Sequence, residues 1–200
     1  MVSTCVVLLS LTCATLAQTG GGIEGLKAKA ESGEAKAQYG LAMAYADGRG
    51  AQKDDLKAVF WFRKSAAQGN AQAELKLGSM YYTGTGVTRD LLQAAAWFRK
   101  AADQGDASAQ FNLGLSYEHG WGVQQDDAQA ALWYQRAAEQ GHTSAESRLG
   151  LLFYSGRGVP NDYSQAAIWY RKAAEQGFAE AQFNLGGMYL TGKGVQEDLA

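Results

Sequence analysis

The chain has 200 residues, of which 46% are hydrophobic, so it is long enough to bury the core of one or two domains. Charged residues make up 19% and the net charge is −2, which argues against a protein that holds nucleic acid or acidic lipid through basic side chains. The 25 glycines against a single proline match neither collagen nor a proline-rich linker.

Residues 1–17 form an apolar leader without charged side chains. The leader has the length of a signal peptide, is too short for a comfortable membrane span, and ends with the small residues Thr15 and Ala17. We predict a signal peptide over 1–17, with a misplaced start or an uncleaved anchor as the alternative. Cys5 and Cys13 both lie in this leader, so a chain that has lost it has neither a disulfide nor a cysteine-based metal site.

The segment 18–34 is predicted to begin with a flexible run of glycines, residues 20–22. A single helix is expected from Ile23 to Gly33, because this stretch aligns with the second helix of the repeats that follow. Leu26 takes the place of an aromatic residue in that alignment. The segment therefore predicts a half-repeat that caps the N-terminal side of the repeats.

A period of 36 residues runs from Ala35 onward and divides the chain into units 35–70, 71–106, 107–142, 143–178 and an incomplete 179–200. The first half of each unit carries a leucine and then a Gly-x-Gly pair: Leu41, Leu77, Leu113, Leu149 and Leu185, with pairs starting at Gly48, Gly84, Gly120, Gly156 and Gly192. The second half carries a Trp-aromatic pair at Trp61, Trp97, Trp133 and Trp169, and closes on Gly69, Gly105, Gly141 and Gly177. Such self-similarity is typical of repeat architectures.

Each unit is predicted to contain two helices. The first is amphipathic, and Leu41 lies on its apolar side. The second begins at an aspartate such as Asp54, because an aspartate side chain accepts hydrogen bonds from backbone amides of the first turn that have no partner within the helix. It stops at a glycine such as Gly69, where a left-handed backbone costs least.

Stacked helix pairs bury faces that one pair alone leaves exposed, so the sequence predicts an all-α fold, an α/α superhelical solenoid of about five helix-turn-helix repeats. Glycines at Gly78, Gly114, Gly150 and Gly186 interrupt the first helices, where each costs about 1 kcal/mol relative to alanine. Close packing of two helices is expected there as compensation. The fifth unit stops shortly after Asp198, so we expect the chain to be a fragment of a longer protein.

The repeat pattern resembles the Sel1-like repeat, a relative of the tetratricopeptide repeat. The third unit carries the resemblance through Leu113-Gly114, Tyr117, Gly120-x-Gly122-Val123, Asp126, Ala130, Trp133-Tyr134, Ala137-Ala138 and Gly141. The first unit departs from the pattern, since Ala51 replaces the valine. The resemblance implies adaptor work in bacterial envelope, secretion and host-interaction assemblies, or in eukaryotic quality control. Some secreted members are described as penicillin-binding or β-lactamase-like, but these carry a cysteine pair in every repeat, which this chain lacks.

Catalytic motifs are missing from the sequence. The Gly-x-Gly runs lack the strand-to-helix context and the third glycine or Gly-Lys-Ser/Thr ending of a phosphate loop, and five copies indicate turns between helices. No Ser-x-x-Lys, Gly-x-Ser-x-Gly or His-Glu-x-x-His sequence occurs. His119 and His142 are the only histidines, and we expect them at the surface rather than on a metal. We therefore predict no catalytic residues, no cofactor and no metal.

Candidate partner-binding residues lie on the outward face of the first helices. A row of hydrogen-bond donors is expected to face an extended peptide: Lys76, Asn112, Arg148 and Asn184. Leu115 and Leu151 would add apolar contacts, with His119 beside them. Trp121 lies in a turn where the other repeats carry a polar residue, and exposed aromatic residues are enriched at binding sites. The alternatives are a plainly solvated helix face and, for Trp121, an indole folded over a neighbouring loop.

These features predict a non-enzymatic scaffold that binds a protein or peptide partner in the concave groove of the solenoid. We expect a periplasmic or secreted protein, a monomer without a membrane span once the signal is removed, and no nucleic-acid partner. One alternative is a hydrolase or binder of β-lactams or peptidoglycan fragments. The other is an intracellular adaptor whose N-terminus is not processed.

Overall fold

The computed structural model describes residues 21–195, so the predicted signal peptide at 1–17 and Asp198 lie outside the described residues. Within them the chain forms ten helices and no strand, which confirms the predicted all-α class. No helix in residues 21–195 has both the length and the apolar character needed to cross a membrane. The described chain falls into two compact units that meet between Arg89 and Asp90.

The first unit contains four helices: α1 Gly21–Glu31, α2 Ala35–Asp47, α3 Asp55–Ala66 and α4 Ala71–Thr83. Each helix packs against the next one along the chain. Helix α1 is the predicted half-repeat, but it begins at Gly21 rather than at Ile23, so Gly21 and Gly22 are helical where a flexible run was expected. Leu26 of α1 lies against Gly40 of α2, where an added Cβ would be 3.3 Å from the leucine Cδ1.

The second unit contains six helices: α5 Leu91–Asp103, α6 Ala107–His119, α7 Asp127–Glu139, α8 Thr143–Ser155, α9 Tyr163–Glu175 and α10 Ala179–Thr191. Consecutive helices again pack in pairs. The even-numbered helices are first helices of repeats and the odd-numbered ones are second helices. This pairing confirms the predicted solenoid of helix-turn-helix repeats.

The ends of the second helices lie where the sequence places them. Asp126 caps α7, since one of its carboxylate oxygens accepts hydrogen bonds from the amides of Ala128 at 2.9 Å and Gln129 at 3.0 Å. After the helix, the amide of Gly141 donates to a carbonyl three residues back at 2.9 Å, and the next amide donates to one five residues back at 3.1 Å. With a φ of +79° at Gly141, this is a Schellman motif.

The helix-interrupting glycines permit close packing of aromatic rings. An added Cβ on Gly114 of α6 would lie 2.6 Å from Cδ1 of Tyr134 on α7, and one on Gly150 of α8 would lie 2.9 Å from Cδ1 of Tyr170 on α9. Both tyrosines are almost fully buried. The prediction of a close helix approach is therefore confirmed at these two positions. It is wrong at Gly186, where an added Cβ would meet no atom within 4 Å.

The second glycine of four of the five Gly-x-Gly pairs packs closely on backbone, whereas Gly50 of the first pair would place a Cβ 3.9 Å from the Ile23 Cβ. Gly122 has a φ of +70°, and a Cβ placed on it would lie 2.7 Å from the amide nitrogen of Leu92 and closer still to the carbonyl oxygen of Leu91. The same contact with the start of the preceding second helix recurs at Gly86 on Asp55, Gly158 on Asp127 and Gly194 on Tyr163. Each turn thus connects its own repeat to the one before it.

A buried amide position also repeats along the first helices. Gln110 donates from Nε2 to the carbonyl oxygen of Ala102 at 3.2 Å and accepts from Nε2 of Gln140 at 2.8 Å. Glu146 occupies the equivalent position on α8, where it is 3% exposed and accepts from Nε2 of Gln176 at 2.7 Å. Burial raises the pKa of Glu146, because its charged form loses hydration.

Candidate functional site

The candidate residues of the second unit lie at equivalent positions on its three first helices. Asn112 and Leu115 are on α6, Arg148 and Leu151 are on α8, and Asn184 is on α10; all five are half-buried. We call these five residues the first-helix face. Lys76 lies at the corresponding repeat position on α4, in the first unit, and is exposed.

The polar members of the first-helix face have unused hydrogen-bonding capacity. Within residues 21–195, the side chains of Asn112, Arg148 and Asn184 make neither a hydrogen bond nor an ion pair. Gln110, two residues before Asn112, has both ends of its amide bonded. Each of these side chains is partly exposed, so its free donors and acceptors can bind water or a partner.

A pocket of about 200 Å³ opens beside this face, between α8 and α10. Its lining includes the predicted Leu151 and Asn184 together with residues that the sequence reasoning missed: Tyr154, Tyr170, Phe183, Gly187, Met188 and Thr191. Gly187 occupies the repeat position held by Leu115 and Leu151 in the two preceding repeats, and a Cβ added to it would meet no atom within 4 Å. Gly187 therefore borders the pocket without a side chain that could fill it.

The pocket has an apolar base with a phenol beside it. Met188 is 1% exposed and Tyr170 is 2% exposed, whereas Phe183 is 82% exposed. Burial raises the pKa of Tyr170 to about 12, so its hydroxyl stays protonated at neutral pH and acts as a donor. The hydroxyl of Thr191 is already used, since it donates to the carbonyl oxygen of Gly187 at 2.8 Å.

The turn aromatic is less exposed than expected. Trp121 is half-buried and stacks on His119, with ring centroids 4.4 Å apart and ring planes inclined by 30°. His119 itself is exposed, as predicted. The arrangement matches the alternative of an indole folded over its neighbours, because the ring has already found an aromatic partner.

The prediction of a surface position for His142 is wrong. His142 is half-buried, stacks on Phe111 with centroids 4.7 Å apart, and caps α8 by accepting the amide of Ala145 on Nδ1 at 3.3 Å. Burial lowers the pKa of His142, which keeps the ring neutral and able to accept. Nowhere in residues 21–195 do three histidine, cysteine, aspartate or glutamate side chains gather in a way that could hold a metal ion.

A buried carboxylate network lies between α6 and α7. Glu118 is 4% exposed, accepts a hydrogen bond from the Tyr134 hydroxyl at 2.6 Å, and lies 3.5 Å from the guanidinium of Arg157. Arg157 also pairs with Asp127 at 2.8 Å. The sequence does contain a signal for this network, because Glu118 occupies a repeat position that holds tyrosine in the neighbouring repeats, at Tyr82 and Tyr154. Because the carboxylate is buried and already bonded to Tyr134 and Arg157, it does not form an open site.

The family model for the Sel1 repeat matches residues 35–70, 71–106, 107–142, 143–178 and 179–200. These are the five units read from the sequence, with the same boundaries.

Three solved structures illustrate what the chain is similar to. A protective antigen of uropathogenic Escherichia coli with an SLR fold is 46% identical at a TM-score of 0.85, over 88% of this chain and 38% of its own. A Sel1 repeat protein of Oxalobacter formigenes is 32% identical at a TM-score of 0.86, over 96% of this chain and 79% of its own. An immunity protein of Pseudomonas aeruginosa is 27% identical at a TM-score of 0.54, over 84% of this chain and 61% of its own.

The chain thus spans well under half of the length of the Escherichia coli antigen. The search among curated proteins gave no match. Sel1 repeat proteins are generally protein-interaction scaffolds. With five matched repeats and relatives above 30% identity, the chain belongs to the Sel1 repeat family.

Proposed function

We propose that the chain is a non-enzymatic scaffold that binds a protein or peptide partner on the first-helix face. The observation that carries the proposal is the row of Asn112, Arg148 and Asn184, which are half-buried and make no hydrogen bond or ion pair within the described residues. Because these groups are held on rigid helices, a partner gains hydrogen bonds without the protein having to reorganise.

The chemistry of the face suits an extended peptide. An asparagine amide offers a donor and an acceptor, which is what a peptide group requires on its two sides. Asn112 and Asn184 supply two such amides, and Leu115 and Leu151 supply apolar contacts beside them. Binding then uses shape and hydrogen bonding and needs no covalent step.

Affinity capture from the native cell, followed by mass spectrometry, tests the proposal. We compare the unmodified chain with the double variant Asn112→Ala/Arg148→Ala and with the control Gln135→Ala/Glu139→Ala, which removes an exposed pair bonded at 2.8 Å on α7. A partner that is lost only from the first variant supports the proposal. Equal retention by all three chains contradicts it.

We place the protein in the periplasm or outside the cell. The support is the leader at 1–17 and the likeness to a bacterial protective antigen. N-terminal sequencing of the mature protein should begin after residue 17. An unprocessed Met1 would favour the intracellular adaptor instead.

The enzymatic alternative is tested with nitrocefin on the purified chain. We expect no turnover, since related Sel1 repeat structures are generally non-catalytic scaffolds. Hydrolysis that follows the protein through purification and disappears on one point substitution would favour a β-lactam hydrolase.

A further inference from the structure

We propose that the partner is a peptide segment in which an apolar side chain and a carboxylate are separated by one residue. The apolar side chain enters the pocket at Gly187, and the carboxylate pairs with Arg148. This inference rests on the proposed function and specifies the chemistry of its partner.

The pocket has the size and lining for one side chain. Its volume of about 200 Å³ is below the roughly 300 Å³ at which pockets for small molecules usually begin. Leu151 and Met188 provide an apolar wall and base, while Tyr170 keeps a protonated hydroxyl there. Buried apolar or aromatic anchors in such pockets dominate the energy of peptide binding.

The pocket is specific to the last described repeat. In the two preceding repeats the same position carries Leu115 and Leu151, which pack against the buried clusters that contain Tyr134 and Tyr170 respectively. At Gly187 the side chain is missing and the space remains open. A partner side chain can therefore take the place that a leucine of the chain fills elsewhere.

Arg148 supplies a positive charge beside the pocket. It lies three residues before Leu151 on α8, and its charge acts on the hydroxyl of Tyr170, which lines the pocket. Two carboxylates lie nearby in the fold, but neither pairs with Arg148 within the described residues: Glu118 is paired with Arg157, and Glu180 is exposed on α10. The charge of Glu180 also acts on the Tyr170 hydroxyl, from an exposed position. A partner carboxylate would thus meet a half-buried guanidinium that makes no ion pair within the described residues, where a charge-assisted hydrogen bond is strong.

The spacing within the motif follows from helix and strand geometry. Three residues of helix separate the two levels by about 4.5 Å, at 1.5 Å per residue. Side chains two residues apart in an extended peptide share a face and lie about 6.6 Å apart, at 3.3 Å per residue. We take the peptide to run along α8. Long arginine and glutamate side chains then cover the difference, so one intervening residue fits and the adjacent residue, which points to the opposite face, does not.

The test is selection from a phage-displayed library of random peptides on the full chain, read by sequencing. We expect enrichment of an aromatic or leucine residue and an aspartate or glutamate with one residue between them. Gly187→Leu should remove the apolar preference, and Arg148→Ala should remove the acidic one. Arg49→Ala is the control, because it deletes the same charge from a side chain that is 85% exposed and pairs with Asp47.

A synthetic consensus peptide then gives the energetic coupling. We expect about a tenfold loss of affinity when its acid is changed to the amide, and no further loss from that change in Arg148→Ala. Gly187→Leu should bind at least about tenfold more weakly while melting no lower than the unmodified chain, because leucine favours a helix more than glycine does. Weaker binding together with an undiminished melting temperature shows that the substitution fills the pocket and does not damage the fold.

Enriched peptides that lack the motif, or that bind both variants as well as the unmodified chain, overturn this inference and leave the proposed function standing. Failure to enrich any peptide also overturns it. The proposed function is judged independently by whether native partners are lost from Asn112→Ala/Arg148→Ala.

Discussion

The contact of Gly122 with backbone makes a sharp prediction about stability. Gly122→Ala and Gly141→Ala both place a Cβ on a residue with a φ between +70° and +79°. That strain alone costs about 1–2 kcal/mol. The two sites differ in their surroundings, because a Cβ at Gly141 meets nothing within 4 Å, whereas one at Gly122 lies 2.7 Å from the Leu92 amide nitrogen.

The difference between the two variants measures the backbone contact. Overpacking of this kind costs about 1–3 kcal/mol, so we expect a total loss of about 1–2 kcal/mol for Gly141→Ala and about 2–5 kcal/mol for Gly122→Ala. Equilibrium urea unfolding followed by circular dichroism gives both numbers, with each transition fitted separately since repeat proteins need not unfold in one step.

Hydrogen exchange provides a local readout of the same contact. The amide of Gln93 donates to the cap Asp90 at 3.0 Å, at the start of the helix on which Gly122 packs. We expect faster exchange of this amide in Gly122→Ala and no change in Gly141→Ala. Equal losses of stability in the two variants, with equal exchange at Gln93, would refute the reasoning.

Two further predictions concern buried side chains. Glu146→Gln should stabilise the protein by about 1 kcal/mol at neutral pH, because an amide can donate to the carbonyl of Ala138 as Gln110 does to Ala102. Since burial raises the pKa of Glu146, the contribution of its protonated form is present at low pH and is lost as the pH rises through the folded pKa. The variant should therefore lose that part of the pH dependence in urea titrations, and an unchanged profile would contradict this account. Tyr134→Phe should cost about 1–3 kcal/mol, because it removes the donor 2.6 Å from the buried carboxylate of Glu118. Tyr170→Phe is the matched control and should change little, as that hydroxyl makes no hydrogen bond within residues 21–195; similar losses in thermal melts would argue against the network.

The helices and their ends could be predicted from the sequence because local chemistry determines them. Asp126 caps a helix through amides two and three residues away, and Gly141 ends one through bonds inside a single turn. The periodic columns then indicate which faces meet, which is why a close helix approach was expected at Gly114, where the structure places the ring of Tyr134. Such features need no knowledge of distant residues.

The candidate site was predicted only in part, because its missing features depend on distant neighbours. The leucine and asparagine columns identified Leu151 and Asn184, but not the pocket that both residues line and that Gly187 borders without a side chain. The sequence alone does not show which of the 25 glycines borders a pocket, because that depends on the residues around it in the fold. For Trp121 the sequence left two alternatives open, an exposed aromatic residue in the turn or an indole folded over a neighbouring loop. The stacking on His119 is visible only in three dimensions.

The turn glycines also bear on how such a chain can grow by duplication. The nearest atoms that Gly86, Gly122, Gly158 and Gly194 meet belong to the main chain, so the residue that supplies them can be aspartate, leucine or tyrosine, as at Asp55, Leu91, Asp127 and Tyr163. A copied 36-residue unit can therefore pack its turn glycine on a neighbouring unit that carries any of these residues at the position. Natural selection can then change the side chains of each copy while the contact between neighbouring copies is preserved.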